Sequence, residues 1–264
     1  MGVLNVTPDS FSDGGRHAEA AAALAAARAM VAAGARIIDV GGESTRPGAT
    51  PPPVAEEFRR VLPVIRAISS ELDVIVSVDT SRVEVMEAAV AEGASFINDV
   101  RGFRAPGALE AAARLGVGLC VMHMQGEPAT MQNAPSYRDV VGEVKGWLVE
   151  RLEACRAAGV APDRVAVDPG FGFGKTTAHN LKLLAALEAF TELGAPLLVG
   201  LSRKSLAGAL TGRPVGARLA GSVALAALAA ERGASIVRAH DVAETLDAVT
   251  IGAAVRKAAR GDSG

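Results

Sequence analysis

The chain has 264 residues, half of them hydrophobic and 21% charged, with 27 Lys plus Arg against 29 Asp plus Glu for a formal net charge of -2. This composition excludes a disordered chain and leaves no global field to draw nucleic acid or an anionic membrane, so any anion site must be local. Two cysteines, Cys120 and Cys155, are too few for a disulfide scaffold and lack metal-ligand spacing, which points to buried apolar thiols in a reducing cytoplasm.

No basic leader with an apolar core opens the chain. The alanine-rich stretch over 18–33 carries Glu19 and Arg28, so it reads as neither a signal peptide nor a membrane span. In chain order, short β-branched apolar runs occupy residues 2–6, 35–40, 74–78, 96–100, 118–122, 164–167, 196–201 and 235–237. Their mean spacing of about 33 residues is the length of one strand, one helix and two loops. The segments between them carry helical periodicity, as in Leu24, Ala27 and Val31, or Val140, Val144, Trp147, Arg151 and Cys155. Several runs are apolar throughout, the pattern of parallel strands covered on both faces. With no Pro/Gly/Ser-rich linker between units, the pattern predicts one (β/α)₈ barrel domain over 1–264 in preference to an open doubly wound sheet.

Loops after the strands form the active site of such a barrel, so polar residues at strand ends carry the functional reading. The first two loops, 5–15 and 39–48, are long and polar. Asp79, Asn98 and Asp168 end the third, fourth and sixth runs. Each alone fits a helix cap, but three together favour a mouth suited to a flat heterocycle with amide and amino edges. Arg203 and Lys204 follow the seventh run directly and are expected to point into the mouth. Arg238 and His240 follow the eighth, where barrels often hold phosphate; a guanidinium fork, an imidazole and a helix N-terminus make an anion site. His123 fits a ligand or a histidine packed beneath the site equally well, and His17 and His179 read as surface residues.

Glycines 170, 172 and 174 match no nucleotide motif. A phosphate loop needs a glycine where Pro169 stands, and a dinucleotide fingerprint needs one at Lys175. They let the backbone turn tightly beside a ligand, with Phe171 and Phe173 as candidate walls. No Ser/His/Asp or Cys/His order suggests covalent catalysis, and no histidine/carboxylate cluster suggests zinc, so a reaction driven by binding and charge stabilisation fits best.

Taken together, GVLNVTPDSFSDGG over 2–15, DVGGESTRPG over 39–48, DPGFGFGK over 168–175, SRKS over 202–205 and RAH over 238–240 resemble the dihydropteroate synthase family along essentially the whole chain. That family condenses (7,8-dihydropterin-6-yl)methyl diphosphate with 4-aminobenzoate in folate biosynthesis, releasing diphosphate, and the resemblance implies this transferase activity here. It implies that Asp79, Asn98, Asp168 and Lys204 hold the pterin, with Met122 and Phe173 against the ring and Asp168 on its guanidine-like edge. Arg238 and His240 would hold the diphosphate, joined by Asn5 through a bound Mg²⁺. Thr45, Arg46, Pro47 and Phe11 would shape the 4-aminobenzoate pocket near Ser202 and Lys204, where sulfonamides should compete. Lys204, Arg238, His240 and Asp168 are the positions the resemblance makes catalytic, and it further implies a cytoplasmic homodimer.

Two departures stand out: Ala239 replaces a small polar residue, and Met1 nearly starts the first strand, which would leave the lower barrel opening less covered. A methyltetrahydrofolate-binding corrinoid methyltransferase and a catalytically inactive pterin-binding paralogue are the rival readings.

Overall fold

Each apolar run forms a strand, but several strands extend one residue past the run. The computed structural model describes residues 1–6, 16–44 and 50–261, with the backbone alone for 16–18. The strands are β1 (Gly2–Asn5), β2 (Ile37–Gly41), β3 (Ile75–Asp79), β4 (Phe96–Asp99), β5 (Gly118–Met122), β6 (Val165–Asp168), β7 (Leu198–Gly200) and β8 (Ile236–Arg238). Helices α1 (Arg16–Ala32), α2 (Val54–Glu71), α3 (Val83–Ala91), α4 (Ala108–Leu115), α5 (Val140–Ala157) and α6 (Thr177–Ala185) alternate with them. Two helices, α7 (Ser205–Thr211) and α8 (Leu219–Glu231), fill the β7 to β8 connection, and α9 (Val242–Ala259) ends the pattern.

β1 to β6 pair in parallel and in sequence order, and β7 pairs with β8. Parallel bridges Val167 to Leu197 and Gly2 to Ala239 join the two sets, with Val3 N donating to Ala239 O at 3.0 Å and Val167 N to Pro196 O at 2.9 Å. The sheet is therefore closed, as the eightfold spacing predicts.

Two apolar layers hold the barrel. Outward strand residues such as Ile38, Val78, Ile97, Leu119 and Val167 pack on helix residues such as Ala27, Ile65, Met86, Leu148 and Leu183. Each fully buried large aliphatic side chain there contributes about 1.5–3 kcal/mol. Cys120, Ala166 and Leu198, packed with Met1, Phe96 and Ile236, form a second, smaller cluster within the barrel. Both cysteines are buried and unpaired. Among the described residues no helix is long and apolar enough to cross a membrane.

Candidate active site

Side chains alternate along a strand, so the outward positions fix the inward ones. Because Leu4, Ile38, Val40, Val76, Val78, Ile97, Leu119, Val121, Val165, Val167 and Val199 pack outward, Asn5, Asp39, Gly41, Asp79, Asn98, Met122, Asp168, Gly200 and Arg238 face the interior. Register then sets their heights: Asn5 pairs with Gly41, Gly41 with Asp79, and Asp79 with Asn98. Asn98 pairs with Cys120, which lifts Met122 and its partner Asp168 one inward step higher.

Arg238, the last residue of β8, reaches across this interior. Its Nε donates to Asp39 Oδ2 at 2.6 Å and its Nη2 to Asp79 Oδ2 at 2.8 Å. Asp39 is 0% exposed and also accepts from Ser77 Oγ at 2.5 Å and Asn98 Nδ2 at 3.1 Å. One carboxylate thus gathers side chains from β3, β4 and β8. Burial pushes the Asp79 carboxyl up to about 7, with Arg238 acting to lower it and Asp39 to raise it.

Asp168 lies 4% exposed at the end of β6, its Oδ1 accepting from Gly170 N at 2.7 Å. Burial raises its carboxyl above the usual range, opposed by the Lys204 charge and the Gly170 amide. Lys204 Nζ donates to Phe171 O at 2.6 Å and sits 4.6 Å from the centroid of the Phe173 ring. Burial lowers this ammonium to about 8. Met122 and Phe173 pack with Val100, Met124 and Met131 into an apolar wall beside the carboxylate. An acid and an ammonium against such a wall can grip the polar edge of a flat ring while the wall takes its face.

After the adjacent strands β7 and β8, His240 N donates to Ser202 Oγ at 3.2 Å, and the same hydroxyl lies 3.2 Å from His240 Nδ1. His240 stands two residues before α9, so the imidazole sits at a helix N-terminus able to receive an anion.

The helix-cap alternative fails for all three strand-end residues. The N-caps of α3, α4 and α6 are Arg82, Gly107 and Thr176. The expectation that Arg203 points into the mouth is corrected. Arg203 adopts a left-handed backbone (φ 59°) and turns outward, its Nε 3.0 Å and its Nη2 2.5 Å from the Asp241 carboxylate. That reversal sends Lys204 inward alone. His123 is a packed histidine, 6% exposed, with its ring edge-on to Trp147 at 5.1 Å and burial holding it down to about 3. His179 is half-buried and belongs to the α6 capping box, while the His17 side chain lies outside the described residues. Phe11, Thr45, Arg46 and Pro47 also lie outside them.

Three features escaped the sequence reading. Asp39 carried a signal, being an acid flanked by Ile37, Ile38 and Val40 within a strand run, and such a group needs a charged partner. Lys175, 3% exposed, follows the glycine turn and is buried under it. Arg82 links Glu43 (3.4 Å) to fully buried Glu57 (3.3 Å), whose other oxygen accepts from Thr80 Oγ1 at 2.7 Å, tying the loop after β2 to α2.

Comparison with known proteins agrees with this geometry. Residues 1–240 match the model of the pterin binding enzyme family. The chain is 53% identical over 251 residues to the dihydropteroate synthase of Escherichia coli (strain K12), covering 95% of this chain and 89% of that protein. It superposes with a TM-score of 0.91 and 54% identity on Xanthomonas albilineans dihydropteroate synthase with 4-aminobenzoic acid, over 97% of this chain and 92% of that one. A Yersinia pestis dihydropteroate synthase in complex with a sulfonamide drug gives a TM-score of 0.91 at 50% identity, over 98% and 93%. The buried acid and half-buried ammonium at one barrel rim thus sit in a chain that belongs to the dihydropteroate synthase family of pterin-binding enzymes.

Proposed function

We propose that this chain joins (7,8-dihydropterin-6-yl)methyl diphosphate to 4-aminobenzoate, giving 7,8-dihydropteroate and diphosphate. The carrying observation is that buried Asp168 and half-buried Lys204 share one rim with Arg238 and His240, so a pterin edge and a diphosphate are served by the ends of neighbouring strands β6 to β8. The C–O bond to diphosphate breaks and a C–N bond to the aromatic amine forms, with the amine losing one proton. As diphosphate departs, positive charge develops on the methylene carbon and spreads into the pterin. Asp168 then meets the cationic ring while Arg238 and His240 neutralise the leaving group. The amine is already nucleophilic, so no strong base is needed. Asn98, Met122, Asp79 and Phe173 complete the pterin contacts, and Ser202 and Lys204 flank the 4-aminobenzoate side together with Phe11, Thr45, Arg46 and Pro47.

Mg²⁺ fits this rim through Asn5. A Cβ built at Gly41 would lie 3.6 Å from Asp79 Cβ, 3.7 Å from Asn5 Oδ1 and 3.8 Å from Asp79 Oδ2, so the glycine leaves both oxygens facing the space above it. Mg²⁺ commonly takes only one or two protein oxygens and completes its octahedron with water and phosphate oxygens. When bound there it would supply charge to the diphosphate. A homodimer is supported by exposed apolar side chains on the β7 to α9 side, among them Leu210, Val215, Leu219, Ile251 and Val255. The unpaired buried thiols support a cytoplasmic setting.

The deciding assay is diphosphate release that depends on both 4-aminobenzoate and Mg²⁺. Methyl transfer to a corrinoid without diphosphate release would favour the methyltransferase reading, and pterin diphosphate binding without product would favour an inactive paralogue.

A further inference from the structure

The turn between β6 and α6 is fastened by a lysine that neither substrate role uses. Lys175 Nζ lies 3.0 Å from His123 Nδ1, from Gly170 O and from Phe173 O, so its three protons meet three acceptors. Two of those acceptors lie within the glycine turn and the third belongs to the loop after β5. The fit between turn and loop is close. With φ 71° at Gly170 and 61° at Gly174, a Cβ at these positions would lie 1.8 Å from His123 O and 2.4 Å from Gln125 O. Tyr137 Oη donates to Gly174 O at 3.0 Å and Gln132 Nε2 to Gly172 O at 2.6 Å, fastening the far side of the turn. This turn supplies two contacts of Lys204, the Phe171 carbonyl and the Phe173 ring.

Resting on the reading of this rim as a pterin site, we propose that Lys175 is a positioning residue: it clamps the β6 turn to the β5 loop and thereby fixes the depth of Phe173 and the direction of Lys204. Glycines leave a turn with wide backbone freedom, and a saturated buried ammonium removes it. Without the ammonium, the His123 nitrogen and the Phe173 carbonyl lose this donor and the Gly170 carbonyl keeps the Phe173 amide, so the turn relaxes toward water and carries Phe173 with it. Acceptance at Nδ1 requires neutral His123 with its proton on Nε2, and burial together with the Lys175 charge keeps the ring neutral.

Two measurements test this. In ¹⁵N spectra of the unliganded wild-type protein, His123 should be neutral at pH 5 with Nδ1 unprotonated. A charged ring, or a proton on Nδ1, overturns the clamp whatever the rim binds. In calorimetric titrations with 6-hydroxymethylpterin at pH 6, where Lys175 carries its proton, Lys175→Met should raise Kd about tenfold, the effect of losing one well-made buried contact. His123→Leu, which removes one acceptor of three, should move Kd the same way by less. In the Phe173→Ala background, Lys175→Met should add little, because it acts through that ring. Unchanged Kd in Lys175→Met, or fully additive losses in the double variant, overturns the positioning role. Wild-type protein that fails to bind the pterin overturns the reading of the rim and the positioning role with it, whereas a wrong His123 tautomer overturns the clamp alone.

Discussion

Arg238 Nε meets Asp39 Oδ2 at 2.6 Å, so the guanidinium assigned to the diphosphate is held from below by a carboxylate that is itself 0% exposed. Asp39→Asn keeps the shape and removes the charge. Breaking a buried pair in this way costs about 3–5 kcal/mol, and Arg238 is left answering to Asp79 alone. Urea unfolding should show that loss together with slower diphosphate release. Wild-type stability in the variant would remove Asp39 from the framework of the site.

Arg238 and His240 should separate in their effects although both are assigned to the leaving group. Removing one group that stabilises transition-state charge typically costs about 10²–10³ in kcat. Arg238→Ala should lose turnover and stability together, because Asp39 and Asp79 then face each other without a cation. His240→Ala should lose turnover while unfolding as the wild type does. Unchanged kinetics in both variants would count against a diphosphate site after β8.

The barrel was legible because the signal that makes a parallel strand, a short β-branched run, is local. Strand ends were less so: the apolar criterion stops at Val78, Val167 and Val237, while the ladder continues through Asp79, Asp168 and Arg238. Those added residues are the ones proposed for the site: their polarity put them outside a rule that counts apolar residues, and made them legible instead as polar strand ends. Asp39 was invisible as a hub because its partners Ser77, Asn98 and Arg238 lie 38, 59 and 199 positions away. Arg203 and Lys204 are adjacent in sequence, and only a left-handed backbone at Arg203 sends them opposite ways, a conformation that arginine does not announce.

Affinity and stability should respond oppositely to alkali because of Lys204. With its ammonium lowered to about 8, the charge beside Asp168 is present at pH 7 and lost as pH rises through 8, so pterin affinity should fall across that range, with loss of the Lys175 proton near 7 adding to the fall. The unfolded chain keeps this proton up to the ordinary lysine value of 10.5, so unfolding takes up a proton between the two. Stability therefore rises with pH there, and Lys175, lowered to about 7, adds the same sign. Calorimetric titrations and thermal melts at pH 7, 8 and 8.5 read both trends. Pterin affinity that stays flat over this range would remove the Lys204 charge from binding.

Gly170 should tolerate no side chain. The Cβ of Gly170→Ala would stand 1.8 Å from the His123 carbonyl oxygen, a backbone atom, and the site's φ of 71° is one that L-residues rarely adopt. Overpacking alone costs about 1–3 kcal/mol, and the left-handed backbone adds to it. Gly172→Ala is the matched control: it shares the positive φ of 81° but meets only Lys204 Cδ, at 3.4 Å. Thermal melts should rank Gly170→Ala well below Gly172→Ala, and equal melting would deny the close seating of the two loops.

Asn5 should govern the metal requirement without governing pterin recognition. Its amide oxygen faces the space above Gly41 together with Asp79 Oδ2, while Asp168 ends β6 and Lys204 lies in the loop after β7. Asn5→Ala removes one hard oxygen from a cation that keeps most of its shell as water and phosphate. The Mg²⁺ concentration for half-maximal diphosphate release should therefore rise severalfold, with 6-hydroxymethylpterin binding unchanged because that ligand carries no phosphate. Filling the same space from the other side, with Gly41→Ala, should shift the Mg²⁺ requirement in the same direction while leaving Asn5 in place. If chelation leaves wild-type turnover intact, or if Asn5→Ala weakens pterin binding as strongly as metal use, the oxygen at position 5 serves the ring and not the cation.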